Sequence, residues 1–163
     1  MEQVVFEATS TPLHIALQMV RLVGGLDFYD RVLVPGAGCG SLAFLAKEAG
    51  ADVTCIELNA SRCAFLRQHF ADVRHADFLR DPIMVPGQRL FTVCLMNPPL
   101  GLGFKFVEQA KTRCAFKQYS AIVALLHDDQ ADIVQSVYGG ERFRLEDRFE
   151  FQGKPVSASI IKL

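Results

Sequence analysis

The sequence predicts an α/β domain built on a doubly wound, mostly parallel sheet that finishes in an antiparallel hairpin. Three observations carry this expectation. Short apolar runs of strand length alternate with segments of helical period from Thr11 to Tyr138, the alternation that produces parallel sheets with helices on both faces. From Phe143 onward the period changes to two residues, as in a half-buried antiparallel strand. Half of the 163 residues are hydrophobic and 21% are charged, which is enough apolar material for one compact core.

The elements follow in order. Ser10-Thr11-Pro12 opens a helix over Thr11 to Val23 that stops at Gly24-Gly25, with proline in the first turn where its missing N–H costs nothing. Arg31 to Val34 is a first strand, closed by Pro35 and a glycine-rich turn, and Ser41 to Glu48 is a helix ended by Gly50. Asp52 to Leu58 is the second strand. Asn59 caps a helical segment reaching Phe70, and Asp72 to Asp77 is short enough to be a third strand. The unit then repeats: strand Leu90 to Met96, helix Phe104 to Cys114, strand Ser120 to His127, and helix Asp129 to Tyr138 ending at Gly139-Gly140. In the tail, Phe143, Leu145, Phe149 and Phe151 alternate with Arg144, Glu146, Arg148 and Glu150, and Asp147 interrupts the apolar face where a bulge is expected. Gly153 permits a reversal, so that Pro155 to Leu163, rich in Val and Ile, returns as the last strand. No linker, repeat or low-complexity segment divides the chain, so a single domain over residues 1–163 is expected.

Charge and cysteine content narrow the function classes. Seventeen Lys and Arg against eighteen Asp and Glu give a net charge of -1, so no global positive field attracts nucleic acid; any such contact is local or supplied by a partner subunit. Arg74, His75, Arg80 and Arg89 form a loosely basic stretch that reads as solvated surface. Met1-Glu2-Gln3 lacks a basic leader, and no apolar run reaches membrane-spanning length, which makes a cytoplasmic protein without membrane partners the expectation. Cys39, Cys55, Cys63, Cys94 and Cys114 are odd in number and contain no C-x-x-C pair; packed, reduced thiols fit better than disulfides or zinc ligands. His14, His69 and His127 show no metal-ligand spacing, so no metal is expected.

The chemistry sits at successive strand ends. Pro35-Gly36-Ala37-Gly38-Cys39-Gly40 follows the first strand, and alternating glycines let a ligand lie against the backbone while amides at the next helix start favour a negative group. Neither the third small residue of the dinucleotide fingerprint nor a P-loop lysine is present, so a cofactor other than a pyrophosphate is implied. Glu57, seventeen positions beyond Gly40 at the end of the second strand, offers a carboxylate to a ribose diol. Asp77-Phe78 at the third strand end offers an acceptor for an adenine amino group and an apolar surface for its ring. The fourth strand runs into Asn97-Pro98-Pro99-Leu100; two prolines lock the turn and remove backbone donors, leaving the Asn97 side-chain oxygen and the Pro98 carbonyl as acceptors for an amino group. Such a pair positions and polarises a nitrogen whose lone pair is delocalised.

These motifs resemble those of class I S-adenosylmethionine-dependent methyltransferases of the Asn-Pro-Pro-aromatic group, nearest to the adenine-specific (N6) DNA and RNA enzymes, whose sheet is seven-stranded and Rossmann-like. The resemblance runs from Thr11-Pro12 through Val34 to Gly40, Glu57, Asp77-Phe78 and Asn97 to Leu100 into the terminal hairpin, almost the whole chain. It implies that Thr11 and Pro12 flank the methionine part of S-adenosylmethionine, that Pro35, Gly36, Gly38 and Gly40 contact the cofactor, that Glu57 holds the ribose and that Asp77 with Phe78 holds the adenine. It implies further that Asn97 borders the cofactor and, with Pro98, Pro99 and Leu100, forms the catalytic segment that receives the target amine. Two positions depart from the pattern. Val34 stands where an acid often closes the first strand, and Leu100 stands where an aromatic ring stacks on a flipped base. Leu102, Phe104 and Phe106 are the neighbours available to supply that cover. Adenine enzymes of this motif order commonly carry a separate target-recognition domain, and no residues follow the hairpin to build one, so sequence-specific recognition is expected to come through a partner subunit.

The implied reaction is methyl transfer to an exocyclic amino group, adenine N6 in DNA or RNA, without a strong base. A glutamine side-chain amide on a protein presents the same two-proton nitrogen and is the second reading. Thr11-Pro12 favours nucleic acid, whereas the missing ring and neutral charge favour the amide. Val34 and Leu100 support a third reading, a cofactor-binding subunit without catalysis.

Overall fold

The structure, a computed structural model, describes residues 10–81, 90–114, 121–146, 149–151 and 154–163. In chain order the elements are α1 (Leu13–Leu22), β1 (Arg31–Pro35), α2 (Ser41–Glu48), β2 (Asp52–Glu57), α3 (Ala60–Leu66), β3 (Asp72–His75), β4 (Val93–Met96), α4 (Gly103–Arg113), β5 (Ala121–His127), α5 (Asp128–Tyr138), β6 (Glu141–Arg144), β7 (Phe149–Phe151), β8 (Lys154–Val156) and β9 (Ala158–Lys162). Seven strands form one sheet in the order β3-β2-β1-β4-β5-β9-β6. The strands β1 to β5 run parallel, and β9 inserts antiparallel between β5 and β6. This is the expected doubly wound sheet with an antiparallel end.

The period of two along each strand divides the core into two layers. Val32, Val34, Val53, Cys55, Val93 and Leu95 face one side, where Ile15, Ala16 and Met19 of α1 and Leu42, Ala43 and Ala46 of α2 cover them. Leu33, Ile56, Cys94, Met96, Ile122 and Ala124 face the other, under Phe106, Val107 and Ala110 of α4 and Ala131 and Val134 of α5. Strands covered on both faces read as continuous apolar runs, which is why β1, β4 and β5 stood out in the sequence. The strand order reverses between β1 and β4, and the crevice beyond their carboxyl ends is where sheets of this type hold ligands.

The structure corrects several boundaries. The expected continuous strand from Phe143 to Phe151 is divided: β6 lies in the main sheet beside β9, whereas β7 pairs only with β8 in a separate two-stranded ladder. Arg144 pairs with Ser159 and Phe149 with Val156, so one side of the hairpin carries two more residues than the other between those pairs, and the ladder cannot remain in register. Asp147 and the Gly153 reversal lie outside the described residues. The fourth strand starts at Val93 rather than Leu90, with Phe91 making an isolated bridge to Cys114. The Ser10-Thr11 hydroxyls do not cap α1. Pro12 is its N-cap residue and makes no side-chain bond; the Ser10 hydroxyl lies 3.1 Å from that of Ser41, and Thr11 turns inward to Asn97.

Gly40 caps α2 in the left-handed conformation, φ 90°, and a Cβ there would lie 3.0 Å from side-chain carbons of Leu66 and Phe44. Gly40→Ala is therefore expected to lower stability by about 1–2 kcal/mol from backbone strain, and more if Leu66 cannot shift. Urea denaturation would show this as a lower midpoint at constant slope.

All five cysteines are free, four of them buried. Burial pushes the Cys55 thiol up to about 12, with the neighbouring Asp72 charge adding to the effect, so it is inert as a nucleophile near neutrality. Among the described residues no helix is long and apolar enough to cross a membrane, and no group of three or more His, Cys, Asp or Glu is placed to hold a metal ion.

Candidate active site

The turn from β1 to α2 supplies the first wall. Gly36, Gly38 and Gly40 all have positive φ, at 63°, 58° and 90°, so the chain doubles back at alternate residues in conformations that side chains disfavour. The Ala37 amide donates to the Ile56 carbonyl at 3.1 Å and the Gly40 amide to the Ala37 carbonyl at 2.9 Å, which ties the turn to β2 and to itself. Gly36 and Gly38 line a cleft of about 500 Å³. Pro35, the buried end of β1, and Gly40 shape the turn from outside that lining.

Glu57 closes the adjacent strand end. It is only 5% exposed, and its two carboxylate oxygens accept separate backbone amides, Gly38 N–H on Oε2 and Asn59 N–H on Oε1, each at 2.8 Å. Arg62 Nη1 approaches Oε1 at 3.9 Å. A carboxylate has about four acceptor positions, so capacity remains toward the cleft that Glu57 lines. The sequence marked Glu57 as a ligand contact; the structure shows that it also fastens the glycine turn, and that the Gly38 amide is used internally.

The third strand end contributes Asp77 and Phe78 to the same cleft. Asp77 Oδ1 accepts the Leu79 amide at 3.0 Å, while Arg80 Nε lies 3.6 Å from Oδ2 on a side chain 88% exposed, a screened pair of small energetic weight. Phe78 is buried, its ring 5.1 Å from that of Phe106 and beneath the Arg113 guanidinium at 5.3 Å. Arg113, itself buried, donates to the Asp81 carboxylate at 3.0 Å and to the Asp81 carbonyl at 2.8 Å. It thereby anchors the turn carrying Asp77 and Phe78 to α4. Nothing local in the sequence distinguishes Arg113, because its role depends on a contact across 32 residues.

Asn97, Pro98 and Pro99 form a wall shared by two spaces. On one side is the cleft just described; on the other is a smaller chamber of about 150 Å³ whose lining includes Leu100, Leu125, His127, Gln130 and Val156. Asn97 Nδ2 donates to Thr11 Oγ1 at 3.2 Å. Pro12 and Ser10 also face the chamber, and Thr11 lines neither space. Gln130 Oε1 accepts the Phe104 amide at 3.1 Å and so joins the start of α4 to α5. The β5–α5 junction is held by Asp128, which accepts from Ser159 Oγ at 2.6 Å and Arg142 Nη2 at 3.0 Å. Burial would raise its carboxyl, but the hydrogen bonds from Ser159, Arg142 and Ser157 outweigh that and hold it below the usual range.

The neighbours available to cover a base in place of the missing ring are engaged elsewhere. Phe104 stacks on Tyr138 at 5.8 Å and Phe106 packs against Phe78, while Leu102 lines the cleft; none of the three lines the chamber. Leu100, 44% exposed, takes part in its wall. His127, notable in the sequence only for lacking metal-ligand spacing, and Gln130 were not marked as site residues there, because only the sheet order brings the end of β5 beside the Asn97 turn.

No family model matches the sequence, and no curated protein matches it. Solved structures do. A provisionally assigned RNA methyltransferase from Pyrococcus horikoshii superposes with a TM-score of 0.73 at 19% identity over 99% of this chain and 88% of its own. A type I restriction-modification methyltransferase subunit from Streptococcus thermophilus gives a TM-score of 0.78 at 16% identity over 95% of this chain, which spans only 44% of that subunit. The C-terminal domain of precorrin-6Y C5,15-methyltransferase from Rhodobacter capsulatus gives 0.73 at 12% identity over 96% of this chain and 91% of its own. The fold is that of the class I S-adenosylmethionine-dependent methyltransferases. At these identities the likeness establishes the fold, and the acceptor must be argued from the site.

Proposed function

We propose that this chain binds S-adenosylmethionine in the cleft and directs its methyl to an exocyclic amino group, adenine N6 in DNA or RNA, received between Asn97 and Pro98. The observation carrying this reading is the Asn97-Pro98-Pro99 wall: one segment borders both the cleft lined by Gly36, Glu57 and Asp77 and a second chamber. The cleft residues fit the cofactor. Gly36 and Gly38 present bare backbone, Glu57 has acceptor capacity for a ribose diol, and Asp77, lining the same cleft, offers an acceptor to an adenine amino group. When bound, S-adenosylmethionine supplies a methyl already activated by its sulfonium. Asn97 Oδ1 and the Pro98 carbonyl accept hydrogen bonds from the two N–H groups of the acceptor nitrogen, turning its lone pair toward the cleft; the prolines keep backbone donors out of that contact, and the nitrogen releases one proton to solvent after it has gained the methyl. This alignment needs no strong base, and none of His127, Cys55 or Cys94 is given that role.

Two of the neighbours, by name an RNA methyltransferase and a restriction-modification subunit, support a nucleic-acid acceptor. With a net charge of -1, target recognition is proposed to come from a partner subunit. The aliphatic Leu100, Leu125 and Val156 around the chamber favour a second reading, a glutamine side-chain amide, which needs no stacking surface.

Labelled methyl transfer to single-stranded DNA, duplex DNA, RNA and a glutamine-bearing protein tests the proposal; binding of S-adenosylmethionine without transfer to any of them identifies a non-catalytic subunit. Leu100→Tyr sharpens the choice. A ring at this position is expected to add about 1–3 kcal/mol of stacking for a base, so transfer efficiency should rise on adenine-containing strands and little on the amide. A folded variant that gains only on the glutamine protein refutes the adenine assignment.

A further inference from the structure

The resemblance places Thr11 beside the methionine part of the cofactor, yet in the structure Thr11 lines neither the cleft nor the chamber. It is 5% exposed, and its hydroxyl meets the side chain of Asn97, 86 residues away, with Nδ2 donating to Oγ1 at 3.2 Å. We infer that Thr11 is a positioning residue that holds the Asn97 amide with its oxygen available to the acceptor nitrogen.

An asparagine amide is nearly symmetric in shape but opposite in polarity at its two ends: one end only accepts and the other only donates. An amino group awaiting methylation also brings protons. If the amide turned over, Nδ2 would confront those protons with protons of its own, and the contact proposed to orient the nitrogen would become repulsive. The proline after Asn97 restrains the backbone but leaves the side-chain amide free to rotate. A partner behind the wall that engages the nitrogen end therefore restrains the amide with its oxygen toward the acceptor. The Thr11 hydroxyl tethers the amide: it is out of solvent, the bond the structure holds is from Nδ2 and leaves Oδ1 for the acceptor, and the hydroxyl is carried on the segment packed by α1, whose Ile15, Ala16 and Met19 are in the core. Ser10 and Pro12 on either side face the chamber, so of the three residues Thr11 alone is turned away from it to meet Asn97. The Ser10-Thr11-Pro12 run, which reads as a helix start, acts here as a support for the acceptor site.

The inference rests on the proposed role of Asn97, and two measurements separate them. The first is independent of catalysis: in the folded protein the Asn97 side-chain N–H signal should exchange slowly in the wild type and in Thr11→Ser, and faster in Thr11→Val, which keeps the shape but lacks the hydroxyl. The second is kinetic. Thr11→Val is expected to lose about tenfold in kcat, the equivalent of roughly one hydrogen bond, with S-adenosylmethionine affinity unchanged and Thr11→Ser restoring most of the turnover. Unchanged amide exchange in a folded Thr11→Val variant overturns the inference. So does a loss confined to cofactor affinity, which would mark Thr11 as a cofactor contact, and so does a serine variant as slow as the valine one. If the wild type transfers methyl to no acceptor, the proposed function fails and the exchange measurement alone decides whether Thr11 holds Asn97.

Discussion

Asn97→Ala is expected to reduce methyl transfer by about a hundredfold to a thousandfold, the range seen when a preorganised polar contact at a reacting centre is removed, while S-adenosylmethionine affinity changes little. Asn97 borders the cleft as well as the chamber, but its proposed polar partner is the acceptor nitrogen, and a contact that matters chiefly in the transition state appears in kcat. Alanine leaves the Pro98 carbonyl to receive the amine alone and leaves the Thr11 hydroxyl without its partner. Isothermal calorimetry with S-adenosylmethionine, beside turnover on the best acceptor from the panel, checks both halves. A variant with wild-type turnover removes Asn97 from the mechanism; one that loses cofactor affinity in proportion to turnover moves its role to the cleft.

The second large effect is expected at Glu57. Glu57→Ala removes the carboxylate proposed to bind the ribose, and each charge-assisted hydrogen bond lost costs about 1.5–3 kcal/mol, so cofactor affinity should fall by at least tenfold. The same carboxylate holds the Gly38 and Asn59 amides, so the variant should also lose stability, because two backbone donors at a buried strand end lose their partner. Glu57→Gln separates the roles: its single carbonyl oxygen can satisfy one of the two amides, so it should recover part of the stability. Thermal unfolding with and without S-adenosylmethionine distinguishes them, since the cofactor's stabilising shift depends on its affinity. A folded Glu57→Ala protein that binds S-adenosylmethionine as tightly as wild type refutes the ribose assignment.

Much of the fold was legible because local rules and the tertiary result agree. The strands β1, β4 and β5 are buried on both faces and read as apolar runs; α2 occupies the expected Ser41–Glu48; and Asn59 caps α3 by accepting the Arg62 amide at 3.1 Å, as an asparagine before a helix suggests. The glycine turn, Glu57 and Asp77 were legible for a related reason. In a doubly wound sheet, strand ends are close in space whenever the strands are neighbours, so chemistry at successive strand ends converges without further information.

What the chain could not disclose locally depends on contacts across many residues. The last strand joins the sheet between β5 and β6, which brings Val156 and His127 to one chamber. Arg113 reaches back to Asp81 to hold the turn that carries Asp77 and Phe78, and Phe104 is committed to Tyr138, so that ring nearby in sequence is engaged elsewhere. Periodicity records which face of an element is buried, but it carries no record of which distant side chain will meet it. Thus the sequence by itself determined the α/β class, the order of strands and helices and the polar groups at their ends. Only the tertiary structure decided that Thr11 stands behind Asn97, that Glu57 binds the glycine turn as well as facing the cleft, and that one proline-locked wall divides two cavities, because each of these is set by packing between segments that lie far apart along the chain.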